Sequence, residues 1–181
     1  IAQEAPDAIV RKAADDVIAI IKNDKDVQAG DSAKLARLAE EKVLPFFDFK
    51  RMTQLALGRN WATATPQQQE TLVSEFKALL VRTYSVALSQ YKNQTIEVKP
   101  LRAGPSDTEV VVKTVVAQPG GQGVPIDYSM EKMANGWKVF DVLVDGVSLV
   151  TNYRSSFNDQ VKQGGVDGLI KSLQTRNQSK K

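Results

Sequence analysis

The chain has no cysteine and no histidine among its 181 residues. Without cysteine, thiolate nucleophiles, zinc–thiolate centres and disulfides are excluded. Without histidine, the commonest general base and the commonest transition-metal ligand are also missing. Long apolar runs are absent as well. The longest, Val17 to Ile21, falls far short of the roughly 20 residues a membrane-crossing helix needs. Nor is there a concentration of charge of one sign. Twenty-four Lys and Arg are interleaved with 21 Asp and Glu for a net +3, and the nearest basic cluster is Lys180-Lys181 with Arg176. Nucleic-acid binding needs clustered cations, so that class is set aside. No charged n-region or apolar h-region stands at Ile1, so either the protein is not exported or a signal was removed before this numbering starts.

What remains is an ordinary globular composition, 42% hydrophobic and 25% charged. The length suits one compact domain with a sizeable core. The expectation is a single domain over 1–181, helical over 1–92, a sheet over 94–144 and C-terminal helices over 147–176. Pro6 suits a first helical turn, and Ile9, Ala13, Val17 and Ile20 or Ile21 recur at helical spacing to Lys22. Residues 23–31 read as a polar loop. Asp31 or Ser32 can cap a second helix with Leu35, Leu38, Ala39 and Val43 on one face, which Pro45 ends or kinks. Asp48 can cap a short helix through Met52, Leu55 and Ala56, stopped by Gly58. The clearest element follows. Thr65 and Gln68 make a capping box around Pro66, and Leu72, Phe76, Leu79, Leu80, Tyr84, Ala87, Leu88 and Tyr91 form one sustained apolar stripe.

After Asn93 the period changes to two. Strands are predicted over Thr95–Leu101, Thr108–Ala117, Val124–Met133 and Trp137–Val144, with Pro100 at a strand end and Asn135-Gly136 as a hairpin signal. Beyond Asp145-Gly146 the spacing turns helical again through Leu149, Val150, Tyr153, Phe157 and Val161. After Gly164-Gly165 a last helix carries Val166, Leu169, Ile170 and Leu173. Four strands joined by short turns make an antiparallel sheet, so the fold class is α+β with helices against one face of that sheet. In residues 110–116, Val110, Val112 and Val116 fall on one face and Val111 and Val115 on the other. That pattern fits a central strand covered on both sides, or an apolar face lining a cavity.

Short matches to chemical motifs dissolve on inspection. Ser129 and Lys132 make a Ser-x-x-Lys pattern, but odd spacing in a strand sends them to opposite faces. Ser89 and Lys92 make another at the end of the long helix, where the helix dipole opposes an alkoxide. Asp24, Asp26 and Gln28 mimic the start of an EF-hand, but the glycine is displaced to Gly30 and Leu35 stands where a bidentate glutamate belongs. Gly120, Gly121 and Gly123 lie between two strands with no helix following, a hairpin loop and not a phosphate cradle. Asp127 or Asp141 beside Tyr128 could abstract a proton in an apolar cone. A hydrogen-bonded Asp141 and a hairpin Asp145 are the simpler reading.

Three blocks, in order along nearly the whole chain, are similar to one known family. FDFKRMTQLALGRNW (47–61), F-K-x-L-L-V-R-T-Y (76–84) and WKVFDVLVDGVSLVTNYRSSF (137–157) resemble the MlaC family of toluene-tolerance proteins. The resemblance implies a soluble periplasmic phospholipid-binding protein of Gram-negative bacteria, exported with a cleavable signal. Its partners would be an outer-membrane lipoprotein–porin complex and an inner-membrane ABC transporter with a ring of lipid-binding domains. Shuttling lipid between them would maintain outer-membrane lipid asymmetry. The implied fold is a curved sheet of four or slightly more antiparallel strands wrapped by helices, partly nuclear-transport-factor-like, enclosing an apolar pocket. No metal, catalytic residue or cofactor is implied beyond the phospholipid cargo.

A carrier of this kind must keep acyl tails dry, because each exposed methylene costs about 0.8 kcal/mol. The pocket is expected to be lined by Phe76, Leu80, Tyr84 and Leu88 of the long helix and by sheet residues Val112, Val116, Tyr128, Met130 and Val142. Leu55, Trp61, Leu149 and Tyr153 would close it. For each of these, plain core packing is the competing explanation. Arg154, Arg59 and Arg102 are candidates for headgroup or partner contacts. Two other functions stay open: a cone-fold hydrolase or isomerase using Asp141 or Asp127, and a lipid-free adaptor of a membrane complex.

Overall fold

The computed structural model describes residues 4–90 and 94–178. Tyr91 at the end of the expected stripe, Lys92 of the second Ser-x-x-Lys match, and Lys180-Lys181 lie outside the described residues. The chain forms two compact units, each built from two separated stretches: Ile1–Phe47 with Ser85–Ser148, and Asp48–Tyr84 with Leu149–Lys181. Its class is α+β, with one curved five-stranded antiparallel sheet.

The first unit opens with α1 (Pro6–Asn23), whose proline occupies the first turn. One part of α1 gives Ile9 and Val10 to a cluster on the sheet, and a later part gives Val17 and Ile21 to a second cluster with Val27, Leu35 and Leu38. Where a loop was expected, Lys25–Gln28 form a single helical turn, α2. Four residues cannot hold a helix by propensity, so local bonds do it. The Asp24 carboxylate accepts from the backbone N–H of Asp26 at 3.0 Å and Val27 at 3.2 Å. Lys34 Nζ lies 2.7 Å from Asp26 and 3.5 Å from Asp24. The EF-hand-like aspartates are therefore a cap and an ion pair. Helix α3 (Ser32–Lys42) is capped by Asp31, and Pro45 sits in the 3-10 turn Leu44–Phe46 that follows.

The sheet is a meander of β1 (Thr95–Val98), β2 (Glu109–Ala117), β3 (Val124–Met133), β4 (Gly136–Val144) and β5 (Val147–Ser148), each strand antiparallel to the next. The fifth strand follows from a two-residue turn in which Asp145 has φ 51° and Gly146 φ 84°, the left-handed pair a tight hairpin demands. Between β2 and β3, a Cβ on Gly123 would stand 2.5 Å from Val115 Cγ1, so any side chain there must displace that methyl. Between Ser129 and Met130 the ladder skips Phe140, a β-bulge in β4. Val111 is 44% exposed and Val115 half-buried, so β2 is not a strand covered on both sides.

The second unit is helical: α4 (Phe49–Leu57), α5 (Asn60–Thr63), α6 (Pro66–Tyr84) and α8 (Leu149–Gln178), with α7 (Val86–Ser89) belonging to the first unit. Asp48 caps α4 by accepting from Arg51 N at 3.0 Å. The capping box of α6 is formed in both directions, Gln68 N to Thr65 Oγ1 at 3.1 Å and Thr65 N to Gln68 Oε1 at 2.8 Å. Helix α6 stops at Tyr84, short of the expected stripe, so Leu88 falls on α7 and packs against the Val17–Leu38 cluster. In α8 the backbone breaks at Gly165 (φ 72°, ψ −174°), a conformation open to glycine alone, between the two helices expected there. Polar ties hold the helices together: Asn60 to Asn158 at 3.1 Å, Gln68 to Asp167 at 2.9 Å and Asn177 to Glu75 at 2.7 Å. Among the described residues no helix is long and apolar enough to cross a membrane.

Candidate functional site

Strand alternation and register divide the sheet into two unlike faces. On the inner face, Val112, Tyr128 and Val142 lie side by side across β2, β3 and β4. One row away stand Val110, Met130 and Val139, and further along are Val116 with Val124 and Ile126 with Val144. Thr114 is the polar exception, and it is satisfied: its hydroxyl donates to the Ile126 carbonyl at 2.7 Å. The outer face carries Glu97, Glu109, Lys113, Asp127 and Glu131.

The inner face is not uniform along its length. At one end Val112 and Met130 are fully buried with Trp137 and Val139 under Ile9 and Val10, and Phe46 and Phe47 pack alongside. Tyr128 and Val142 are half-buried at the margin of this cluster. Toward the other end Val116, Val124 and Ile126 stay half-buried, and Val144 is 43% exposed. Burial pushes the Tyr128 phenol above its ordinary range. The same apolar surface is thus a packed core at one end and a partly covered wall at the other.

In the helical unit, Phe76 and Leu80 are buried on α6, and Leu55, Trp61, Leu149 and Tyr153 are half-buried. The rings of Phe76, Tyr153 and Phe157 form a cluster, with Phe76 edge-on to both others at 5.3 Å. At its border the Tyr84 phenol neighbours that of Tyr153. Tyr84 is 45% exposed as a residue, yet burial, and then the neighbouring Tyr153, push its phenol up to about 12.

The expected site residues therefore separate. Val112, Tyr128 and Val142 come together in one row, with Met130 and Val116 on the same face. Phe76 and Tyr153 come together through their rings, with Tyr84 beside Tyr153. Leu88 joins neither group. Arg154 Nε donates to the Leu55 carbonyl at 2.9 Å, placing a cation over the last turn of α4, where the helix dipole favours one. Arg59 and Arg102 are exposed. The face residues Val124, Ile126 and Val144, and Phe157 of the ring cluster, were absent from the expected set. The turn Asp145-Gly146 was the available signal for the first group, because it sets the β4–β5 hairpin and marks where the β3–β4 ladder ends.

The aspartates considered for catalysis are engaged elsewhere. Asp141 accepts from Ser148 Oγ at 2.5 Å and from Val142 N at 2.8 Å. This bond joins the aspartate of the third motif block to its glycine-valine-serine. Asp127 pairs in register with Lys113 on the outer face, away from Tyr128. Among the described residues no group of three or more acids is placed to hold a metal ion.

Comparison with known proteins adds chemistry to this geometry. The sequence profile of the family described as "MlaC protein" matches residues 11–175. The chain is 33% identical over 104 residues to the toluene tolerance protein ttg2D of Pseudomonas putida, covering 58% of this chain and 48% of that protein. This match thus spans about half the length of the Pseudomonas protein. It is 23% identical over 177 residues to the intermembrane phospholipid transport system binding protein MlaC of Haemophilus influenzae, covering 96% and 83%. Among solved structures, a phospholipid-binding protein from Ralstonia solanacearum in complex with a phospholipid is 45% identical and superposes with a TM-score of 0.89. The match covers 96% of this chain and 97% of that one.

Proposed function

This chain belongs to the MlaC family, and on that premise we propose that it is a phospholipid carrier and not an enzyme. It binds the acyl chains, moves lipid through the periplasm and makes or breaks no bond. The observation that carries this reading is the likeness, at 45% identity and nearly full coverage, to a protein solved with phospholipid bound. The sheet supports it physically. A half-buried apolar wall on an otherwise ordinary α+β protein is surface still available to hydrocarbon, at about 25 cal/mol per Å² covered. Val116, Tyr128 and Val142, with Val124 and Ile126 beside them, are the acyl contacts of the sheet. The fully buried Val112 and Met130 back them as core. In the helical unit the half-buried Leu55, Trp61, Leu149 and Tyr153, with the exposed Tyr84, are the residues with surface left to give, while Phe76 and Leu80 stand behind.

Tails dominate such binding, so headgroup selectivity is weak, with Arg59, Arg102 and Arg154 as candidate headgroup or partner contacts. Release requires a partner that offers the tails an equally apolar exit or favours an open state. An outer-membrane lipoprotein–porin complex and an inner-membrane ABC transporter are the partners in this reading, and lipid asymmetry of the outer membrane is the purpose. Solvent extraction of the purified protein followed by mass spectrometry tests it. Intact phospholipid near one per chain is expected. Cleaved lipid would point to a hydrolase, and lipid-free protein to an adaptor.

A further inference from the structure

We propose that the helical unit docks on the surface of an anionic phospholipid bilayer, a contact that does not depend on the binding of acyl tails. Charge is divided unevenly between the two units. Among the described residues the helical unit carries nine Lys and Arg against five Asp and Glu, whereas the sheet-bearing unit carries twelve against sixteen. A chain of modest net charge therefore combines one basic unit with one acidic unit. The basic excess is also uncompensated locally. Lys50, Arg59, Lys162 and Lys171 are exposed, and among the described residues none of the four has an ion-pair partner. Three of the five acids are tied inside the fold: Asp48 caps α4, Glu75 accepts from Asn177, and Asp167 accepts from Gln68.

Two further arginines are fixed where helices end. Arg154 Nε donates to the Leu55 carbonyl, and Arg82 Nη1 donates to the Arg176 carbonyl. Each bond uses one of five N–H donors, so each guanidinium is held in place with donors left over. The second bond joins the last turns of α6 and α8, each of which carries an arginine. Cations spread over α4, α6 and α8 suit a fluid bilayer, whose anionic headgroups move to wherever the charges stand. A protein partner would need acids at matching fixed positions. Among the described residues Tyr84 is the only large hydrophobic of this unit that stands exposed. There is little to insert into hydrocarbon, so the contact is shallow, electrostatic and screened by salt.

The test sediments the full chain with phosphatidylcholine vesicles, with and without phosphatidylglycerol, and reads the protein in the pellet. Lipid carried off in the supernatant reports tail binding and is scored apart. Pelleting is expected only with phosphatidylglycerol, and it should fall as salt is raised. Lys171→Gln and Arg176→Gln should each weaken partitioning about fivefold, the effect of one cation near an anionic surface. Lys99→Gln and Lys113→Gln, at exposed positions of the other unit, should leave it within about twofold. Equal pelleting on both kinds of vesicle, or none on either, overturns the proposal. So do equal losses from Lys99→Gln and Lys113→Gln, which would trace the attraction to net charge and not to the helical unit. Retention on polyglutamate with none on vesicles would assign the basic unit to an acidic protein and overturns it too.

Discussion

The two ends of the inner sheet face are made of the same residue types and held in place by different means. At the closed end, Val112, Met130, Trp137 and Val139 are buried under Ile9 and Val10, and the hydrophobic effect keeps the strands together. At the open end, Val116, Val124, Ile126 and Val144 keep exposed surface, and local backbone chemistry does the holding. There the Asp145-Gly146 turn, the bond from Ser148 to Asp141 at 2.5 Å and the close approach at Gly123 fix the strands. An apolar surface can stay uncovered when hydrogen bonds and turns, not burial, set its shape. The two ends are then indistinguishable by composition and differ only in what lies over them.

Substitution can break this contrast. Met130→Ala at the closed end should cost about 2–5 kcal/mol in urea unfolding, transfer and cavity terms together. Ile126→Ala at the open end should cost less, about 1–2 kcal/mol, since its side chain is only partly covered. Equal losses would mean the open end is core after all. Gly123→Ala, which drives a methyl toward Val115, should cost about 1–3 kcal/mol through overpacking and lower lipid loading more than an equally destabilising change at the closed end. Asp141→Ala should cost about 1 kcal/mol by removing the β4–β5 staple, and combined with Ser148→Ala should cost clearly less than the sum of the two, because each alone already breaks their bond.

The smallest effect sits at the boundary, on Tyr128. Its pKa is raised by burial in the folded chain, so it contributes stability that is complete below the unfolded value of about 10 and lost as pH rises through the higher folded value. Tyr128→Phe should remove that part of the alkaline decline. A melting-temperature profile between pH 9 and 12 that is identical in both proteins would show that this phenol is not sheltered.

Much of this was legible from spacing alone. Alternation placed the four main strands to within a few residues, and the capping box at Thr65 and Gln68 marked the start of α6 because both bonds are local. What escaped depends on tertiary context. Nothing between Tyr84 and Leu88 announces a break, since their spacing suits a continuous helix; α7 leaves α6 to pack against α3. Strand β5 is two residues long, too short to show a period. The half of the inner face that is core could not be told from the half that is wall, because Val112 and Val116 are the same residue on the same side of one strand. Residues carrying the family resemblance also make bonds within the fold. Arg154 reaches the Leu55 carbonyl and Asp141 holds Ser148, so part of the recognisable pattern is architecture.

The bulge at Phe140 has a consequence for how this protein tolerates change in length. Phe140 and Asp141 together occupy the space of a single rung, and this alone lets Val142 share a side with Trp137 and Val139. Losing Phe140 would leave the remaining residues in phase. Losing or gaining one residue elsewhere between Trp137 and Phe140 would swap inside for outside along half the strand, turning valines toward water and a carboxylate toward the greasy side. Shortening by one therefore keeps the strand in phase when either member of the Phe140–Asp141 pair is lost, although losing Asp141 also forfeits its bond to Ser148.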